Sequence, residues 1–416
     1  MAKNYKCKVC GSIDILEFLD LGMMPIANGI LKKEDLNKKE FKYRLKAGFC
    51  NNCKMVQLLH LVPYEKYIVP QENGKTHYVY VSSMSKVMTQ HFADFANEIQ
   101  ERFLKDNDLV IEIGSNDGIM LQAFDQNKTK VLGIEPSDNV ADMAKEKGIE
   151  TIAKFFSEKL CKKIVKEKGK AKAILSANVI LNIIDLHDLI KGVKELLTDD
   201  GVFVFEDPYI VEILKKAAYD QFYDEHIYYF SLHSLSNLFK MYGMEIFDAK
   251  EQSVHGGSMR IYARKINKEK PISDNVKKYL SKEKEIGIDT TKPYEKFEEK
   301  VNKTKEELIN LFKKIKSENK RIVGYGAASK GNVIMNFCGI RNDVIEYISD
   351  STPTKQGMFT PGTHVPIVPP EKFHNDNPDY TIIFPWNLAE EIMSKEQEYK
   401  TKGGKFIIPV PIARVV

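Results

Sequence analysis

The sequence predicts an α/β protein with two doubly wound, Rossmann-like domains behind a small cysteine-rich N-terminal segment. Three observations support this. Short β-rich runs alternate with helical stretches between residues 109 and 264, as in βαβ units built around a parallel sheet. The same alternation returns from Arg321 to the C-terminus. In each region a glycine-rich turn follows an early strand, which is where such sheets hold ligands.

Length and composition set the number of domains and the class of partner. A chain of 416 residues is too long for one core. We expect three domains, at 1–65, 66–264 and 265–416, the last beginning with a helical linker at 266–320. The 62 basic and 58 acidic residues are mixed along the chain and leave a formal charge of only +4. This balance argues against a nucleic-acid partner.

Apolar segments and cysteine usage predict a cytoplasmic protein without a membrane partner. The N-terminal sequence has no apolar core of signal-peptide length, and no apolar run approaches the ~20 residues that cross a bilayer. Six cysteines, four of them in two CxxC pairs, fit a reducing compartment better than a disulfide framework.

The two CxxC pairs predict a structural zinc site. Two residues between the cysteines allow one turn to present both thiolates to a single metal ion, and two such turns complete a tetrahedral shell. Four protein ligands leave no open position for water, so the metal stabilises a segment too small for a good core. The predicted ligands are Cys7, Cys10, Cys50 and Cys53.

Two stretches predict long helices outside the β-rich runs. Residues 83–104 repeat apolar side chains at three- and four-residue spacing, which is typical of a helix that buries one face. Residues 266–320 are rich in Lys and Glu and carry only a thin apolar stripe. We expect one or two solvated helices there, joining the α/β regions.

The first glycine-rich turn predicts an S-adenosylmethionine site. The strand LVIEI leads into GSNDG, and the helix-like IMLQAF follows. The spacing is GxxxG rather than the GxGxxG of dinucleotide sites, and Asp or Asn here can face a cationic amino acid moiety. The next strand ends in an acid placed for ribose hydroxyls. The predicted cofactor contacts are Glu112, Gly114, Asn116, Asp117, Gly118, Glu135 and Asn178.

Motifs across nearly the whole chain resemble one family. They are CKVC with FCNNC, YVYVSSMSKVMTQHF, EIGSNDG, FYDEHIYYFS, VHGGSMRIYA, and GYGAASKGN with FPWNLAEEI. In order and spacing the sequence is similar to bacterial sugar C-methyltransferases that act on nucleotide-linked 4-keto-deoxysugars. The resemblance implies a zinc-binding N-terminal domain, a cofactor-binding middle domain and a Rossmann-like C-terminal domain, with the sugar nucleotide between the last two.

The resemblance also implies a catalytic base, His226, with Tyr223 and Glu225 beside it. A carbon next to a ketone loses its proton only if a base acts while donors stabilise the enolate oxygen. Histidine suits this role because its ordinary pKa of about 6.5 leaves it mostly neutral at cytosolic pH.

Further substrate contacts are implied at the mouth of the site. By resemblance they are Tyr78, Tyr80 and Ser83, although aromatic clusters are more often core. Family members often carry a histidine in a motif such as NVLAH, where this chain has NVILN and supplies Asn182. We therefore expect the substrate or a proton-transfer detail to differ.

The second glycine-rich turn, GYGAASKGN, nearly matches a dinucleotide fingerprint, with Asp350 ending the next strand. An NAD-dependent oxidoreductase is therefore an alternative. Ser329 replaces the final glycine, however, and Lys330 suits a phosphate. We expect a degenerate Rossmann-like domain that holds the nucleotide diphosphate of the substrate, with Lys330 and Asn332 as contacts.

The sequence leaves other functions open. They are an O- or N-methyltransferase of a related sugar nucleotide, and a non-enzymatic zinc-ribbon protein that uses both α/β domains as scaffolds. A zinc-ribbon RNA methyltransferase is disfavoured because no basic face with interleaved aromatics is evident.

Overall fold

The computed structural model describes residues 5–70, 76–78, 81–84 and 86–416. Its strands are β1 Ile15–Pro25, β2 Lys42–Cys50, β3 Val56–Leu58, β4 Val69–Pro70, β5 Thr76–His77, β6 Leu109–Ile113, β7 Lys130–Ile134, β8 Thr151–Ile152, β9 Ala171–Ala177, β10 Leu197–Pro208, β11 Tyr228–Tyr229, β12 Met244–Gln252, β13 Ser258–Lys265, β14 Ile322–Tyr325, β15 Ile348–Ser349, β16 Ile367–Val368, β17 Tyr380–Ile383, β18 Lys405–Ile408 and β19 Arg414–Val415.

The α-helices of the same residues are α1 Lys86–Phe103, α2 Asp138–Glu146, α3 Glu158–Lys168, α4 Leu186–Leu196, α5 Ile210–Lys215, α6 Leu232–Lys240, α7 Asp274–Ile286, α8 Lys292–Ser317, α9 Ser329–Cys338, α10 Pro370–Asp376, α11 Ala389–Lys395 and α12 Gln397–Thr401. None of them combines the length and apolarity that spanning a bilayer requires. The amphipathic pattern at 83–104 thus forms α1, and the charged stretch after 265 forms α7 and α8.

The N-terminal sheet has the strand order β1-β2-β3-β11 and is antiparallel. Its last strand comes from far along the chain, because Tyr228 and Tyr229 pair with Gln57 and Val56. The cysteine-rich segment therefore shares a sheet with the region around residue 226, instead of standing apart as a separate module.

The middle sheet has the order β12-β13-β10-β9-β6-β7-β8. Strands β10, β9, β6, β7 and β8 are parallel, and the β12–β13 hairpin adds an antiparallel edge. Every residue of β6 is buried, as expected for a strand covered on both faces. This confirms the predicted doubly wound sheet.

The helix expected after the first glycine-rich turn does not form, and that prediction was wrong. Residues 119–129 hold only turns and a single 3-10 turn at Leu121–Ala123. Met120, Leu121 and Phe124 are buried, so the apolar pattern reflects packing into the core beside α1. Only 16 residues separate β6 from β7, which leaves little room for a helix.

The C-terminal sheet has the order β16-β15-β14-β17-β18-β19 and is parallel except at β19. It confirms the second, smaller α/β domain.

The helix α8 that precedes this sheet is more than a solvated linker. Its apolar stripe packs on the N-terminal sheet, with the Tyr294 ring stacked at 4.4 Å from Phe49 and tilted at 5.1 Å from Phe18.

Candidate active site

The four cysteines of the CxxC pairs converge at one end of the N-terminal sheet. Their sulfur atoms all lie within 4.8 Å of one another, with Cys7 to Cys53 and Cys10 to Cys50 at 3.5 Å. Zn–S bonds of ≈ 2.3 Å place the sulfurs of a tetrahedral site about 3.8 Å apart, so this group fits zinc. His60 is not part of the cluster, because its Nε2 contacts the Tyr5 hydroxyl at 3.1 Å.

The first glycine-rich turn lies at the carboxyl end of β6. Gly114 has φ +70°, and a Cβ there would lie 2.3 Å from a methyl carbon of Val179, so only glycine fits. Glu135, at the end of β7, accepts the backbone N–H of Asn116 at 3.0 Å and of Ser137 at 2.9 Å. This acid therefore shapes the turn itself. Each of its two oxygens keeps a further acceptor lone pair.

The surroundings of this turn are acidic and incompletely paired. Asp117 is buried and bonds Lys147 Nζ at 2.5 Å through one oxygen, while its other oxygen has no partner among the described residues. One oxygen of Glu112 is likewise buried without a partner there. Burial raises the pKa of Glu112, and the charges of Glu135 and Asp117 raise it further. Such a cradle suits a cationic amino acid group, and so fits S-adenosylmethionine.

Neighbouring predicted contacts lie along the same sheet edge. Asn178 follows β9 in a left-handed conformation with φ +56°, and its N–H donates to the carbonyl of Glu206 at 2.7 Å. Gly118 also needs its positive φ of +79°. Ser83 lies half-buried beside Ser82, whose N–H donates to Asn116 Oδ1 at 2.9 Å. Tyr80 falls outside the described residues.

The imidazole of His226 is held in one tautomer. Its Nδ1 lies 2.9 Å from the carbonyl oxygen of Gln221, which can only accept, so Nδ1 carries the proton. Nε2 is then the unprotonated nitrogen, and it accepts a hydrogen bond from the Tyr223 hydroxyl at 2.5 Å. Burial lowers the pKa of His226 to about 3, so the ring is neutral at neutral pH.

The carboxylate of Glu225 is buried and bonded at both oxygens. The Tyr78 hydroxyl donates to Oε2 at 2.8 Å, and the Asn28 amide donates to Oε1 at 2.6 Å. Burial raises the pKa of Glu225, and these two donors oppose the shift. The adjacent Asp224 accepts the N–H of Ala27 at 2.9 Å. Tyr78, predicted as a substrate contact, is thus hydrogen-bonded to one member of the predicted catalytic group.

Asn182 lies half-buried in a 3-10 turn at Ile180–Asn182, and its Oδ1 has no partner among the described residues. The preceding residue, Leu181, accepts the N–H of Ile227 at 2.9 Å. This bond brings Asn182 close to the segment that carries His226.

The second glycine-rich turn is occupied by the protein's own groups. Asp350 accepts the N–H of Ala327 at 2.7 Å, and Lys355 donates to the carbonyl of Ala327 at 2.8 Å. Asn332 is buried, and its amide donates to the carbonyl of Ala27 at 2.7 Å. An acid at the position of Asp350 would bind a ribose in a dinucleotide site, but here it holds the turn.

Lys330 faces the middle domain. Its Nζ lies 3.3 Å from the carbonyl oxygen of His255 and 5.4 Å from the centre of the Trp386 ring. Burial lowers the pKa of Lys330, and the charge of Asp220 opposes that shift. Asp220 also accepts the indole N–H of Trp386 at 2.6 Å. The two α/β domains therefore meet at a cation and an aromatic ring.

Sequence reasoning missed several residues of this site, chiefly Asn28 and Gln221. Neither stands in a recognisable motif, and the partners of Asn28 lie 197 and 301 residues away. His255 had a weak signal in its HGG turn. The structure gives it φ +55° and leaves its Nε2 buried without a partner among the described residues.

Fold and site together define a zinc-containing α/β methyltransferase. Three family models match the chain in series: "Putative zinc binding domain" over residues 7–67, "Methyltransferase domain" over 85–249 and "C-methyltransferase C-terminal domain" over 253–411. The chain is 34% identical over 412 residues to the C-methyltransferase NovU of Streptomyces niveus, covering 99% of this chain and 96% of that protein. It therefore belongs to this C-methyltransferase family and uses S-adenosylmethionine.

Solved structures show weaker likeness. An S-adenosylmethionine-dependent methyltransferase from Clostridium acetobutylicum is 14% identical, with a TM-score of 0.34 over 42% of this chain and 91% of that one. Magnesium protoporphyrin IX methyltransferase from Synechocystis is 12% identical, with a TM-score of 0.32 over 42% of this chain and 78% of that one.

Proposed function

We propose that this enzyme methylates a carbon of a nucleotide-linked keto-deoxysugar, and that His226 removes a proton from the carbon next to the ketone. The single observation that carries the proposal is the fixed tautomer of His226. Its Nδ1–H is bound to the Gln221 carbonyl, so Nε2 is the atom available to take up a proton. Family membership favours carbon over oxygen or nitrogen as the methyl acceptor.

The low pKa of His226 has two consequences for the chemistry. Its lone pair is not lost to protonation at neutral pH, but the base is weak. Stabilisation of the enolate oxygen must therefore contribute much of the driving force. The Tyr223 hydroxyl lies next to Nε2, and once it turns away from that nitrogen it would be a donor for the enolate oxygen.

The proton passes from the sugar carbon to Nε2 of His226, and the electron pair left on carbon forms the new carbon–carbon bond. S-adenosylmethionine, when bound, would supply the methyl group: its methyl carbon–sulfur bond would break with the electron pair staying on sulfur, leaving neutral S-adenosylhomocysteine. The turn at Gly114 with Asp117 and Glu135 would hold that cofactor, since Asp117 keeps a buried oxygen without a partner among the described residues and Glu135 keeps further acceptor lone pairs. Its other predicted contacts are Glu112, Asn116, Gly118 and Asn178.

The substrate is proposed to lie between this turn and the C-terminal domain. Glu225 offers buried lone pairs to a sugar hydroxyl, and Tyr78 borders the same place through its bond to Glu225. Lys330 and Trp386 would meet the nucleotide diphosphate. The remaining predicted contacts, Tyr80, Ser83, Asn182 and Asn332, belong to the same proposal, although the Asn332 amide is already bound to Ala27.

The proposed setting is the cytoplasm. None of the six cysteines is in a disulfide, and a reducing compartment keeps the four zinc ligands available.

The proposal is tested by product analysis. The enzyme, S-adenosylmethionine and a panel of nucleotide-linked keto-deoxysugars should yield one product heavier by one methyl group, placed on a ring carbon by NMR. In deuterium oxide with S-adenosylhomocysteine present, the same carbon should exchange its proton. A methyl group on oxygen or nitrogen would overturn the proposal.

A further inference from the structure

The segment after β1, residues 26–29, lies between the two α/β domains. Ile26 and Ala27 are buried, and Gly29 N–H closes a turn on the Ile26 carbonyl at 3.0 Å. Asn28, within this turn, is half-buried. This segment belongs to the region that carries the zinc ligands, yet its contacts are made with distant parts of the chain.

Toward the middle domain, the segment binds the two acids that precede His226. The Asn28 amide nitrogen donates to Glu225 Oε1 at 2.6 Å, and the backbone N–H of Ala27 donates to Asp224 Oδ1 at 2.9 Å. The Tyr43 hydroxyl, from β2, adds a third bond to that same oxygen of Asp224 at 3.2 Å. The zinc-bearing region thus anchors the segment 224–226, which carries the predicted catalytic group.

Toward the C-terminal domain, the same segment contacts the start of α9. The Ser329 hydroxyl donates to Asn28 Oδ1 at 2.6 Å, and the Asn332 amide donates to the Ala27 carbonyl at 2.7 Å. A primary amide donates through its nitrogen and accepts through its oxygen. The Asn28 nitrogen binds the middle domain, and its oxygen binds the C-terminal domain. Asn28 is therefore a single side chain that fixes Glu225 relative to α9, the helix that carries Lys330.

We propose that Asn28 is a positioning residue for methyl transfer, through which the zinc-bearing region holds the Glu225 carboxylate in register with the C-terminal domain. This rests on the proposed role of Glu225 at the sugar. The zinc-bearing region is then part of the framework of the active site. Asn28 would hold Glu225, at the sugar, in a fixed position relative to Lys330, at the nucleotide diphosphate.

The residue type matters as well as the contact. A neutral donor leaves the negative charge on Glu225, whereas removal of the donor leaves only Tyr78 to oppose burial. The pKa of Glu225 should then rise further, because burial already raises it. At a given pH less of the carboxylate is ionised, so a rate that needs the ionised form declines at a higher pH than in the wild type.

The test compares Asn28→Ala with Glu40→Ala in the full-length zinc-loaded enzyme. Glu40 also joins the zinc-bearing region to the C-terminal domain, by accepting Gly362 N–H at 2.7 Å and contacting His364 Nε2 at 2.8 Å, but it does not touch Glu225. We expect kcat to fall by about 10- to 100-fold in Asn28→Ala, the effect of losing one bond to a charged group. S-adenosylmethionine affinity and zinc content should stay unchanged, and the acidic limb of the rate profile should move to higher pH.

Glu40→Ala should keep the wild-type pH profile. If both variants lose the same activity at every pH, Asn28 is only an interface residue and the proposal fails. If the alanine variant does not fold, the nearly isosteric Asn28→Asp provides the test. It should displace the acidic limb further, since it adds another acid beside Glu225 and Asp224.

Glu225→Gln separates this inference from the function on which it rests. Full activity in Glu225→Gln would overturn the proposed role of Glu225 itself. Loss of activity in Glu225→Gln together with a wild-type profile in Asn28→Ala and Asn28→Asp would overturn the role of Asn28 alone.

Discussion

The two glycine-rich turns follow equivalent strands of two similar sheets, yet the charges around them differ. Around Gly114 lie Glu112 and Asp117, each with a buried oxygen that has no partner among the described residues. Around the turn at Gly326 lie two lysines, Lys330 and Lys355, and one acid, Asp350, which accepts the Ala327 N–H. Burial lowers the pKa of both lysines. The first turn keeps acidic oxygens for a cationic group, whereas the second would meet the proposed nucleotide diphosphate only through Lys330.

The turns also differ in the chain that comes after each of them. No α-helix directly succeeds the first in the described residues, whereas α9 succeeds the second and has its first turn bound by the zinc-bearing region through Ser329 and Asn332. A glycine pattern therefore identifies a close backbone approach in both places. Only the neighbouring side chains distinguish a cofactor cradle from a docking point between domains.

The largest expected effect comes from the zinc site. The region that carries this site binds the first turn of α9, directly after the second glycine-rich turn. Cys50→Ser should abolish stoichiometric zinc, which we expect at about one ion per chain. It should also unfold the N-terminal region, because zinc binding provides about 10–16 kcal/mol in isolated finger peptides and a whole domain has only about 5–15. Metal analysis and thermal unfolding measure this. Cys161→Ser, at a buried cysteine outside the cluster, should keep the zinc, and a zinc-free wild-type protein would contradict the assignment.

The next largest effect is on turnover, and it should leave ligand binding at both turns unchanged. His226→Asn removes the basic nitrogen but keeps a similar size, so turnover should fall by about 10²–10⁴. Affinity for S-adenosylmethionine and for the sugar nucleotide should survive, as measured by calorimetry. His233→Asn, at a histidine paired with Glu283, serves as the control. Turnover at the wild-type rate in His226→Asn would move the base to Tyr223, Glu225 or another group.

A smaller effect concerns the acidic turn. Glu135→Ala should weaken S-adenosylmethionine binding by about 1.5–3 kcal/mol, or roughly 10- to 150-fold, because a charged acceptor and an anchor of the turn are both lost. Glu150→Ala, at an exposed acid that directly precedes β8, should leave the affinity unchanged. Equal affinities in wild type and Glu135→Ala would remove Glu135 from the site.

The smallest effect concerns the basic turn. Lys330→Met should raise KM for the sugar nucleotide about tenfold, through loss of one charge-assisted contact, and leave S-adenosylmethionine affinity unchanged. Lys355→Met, at the lysine bound to Ala327, should reduce stability rather than raise KM. If Lys330→Met instead weakens the cofactor, the contrast between the turns is wrong. Binding of NAD at micromolar concentration would contradict it as well.

Several elements were predictable because their signals are local. The CxxC spacing predicts a zinc-binding turn within four residues. A buried strand such as β6 is indicated by a run of apolar residues, which only Glu112 interrupts. The helix expected at 119–124 was wrong because an apolar spacing of three and four also arises in irregular chain that fills a core. The charged stretch that forms α8 was predicted as a helix, but its attachment to Phe18 and Phe49 was not.

By itself the sequence determined the α/β class, the zinc ligands, the two glycine-rich turns and the motif that contains His226, since each depends on residues close together in the chain. The tertiary structure alone decided the tautomer of His226, the donors to Glu225 and the bridge made by Asn28. These depend on atoms brought within 3 Å of each other from up to 301 residues apart. Hydrogen bonds are specified by distance and direction in space, and no spacing along the chain encodes that geometry.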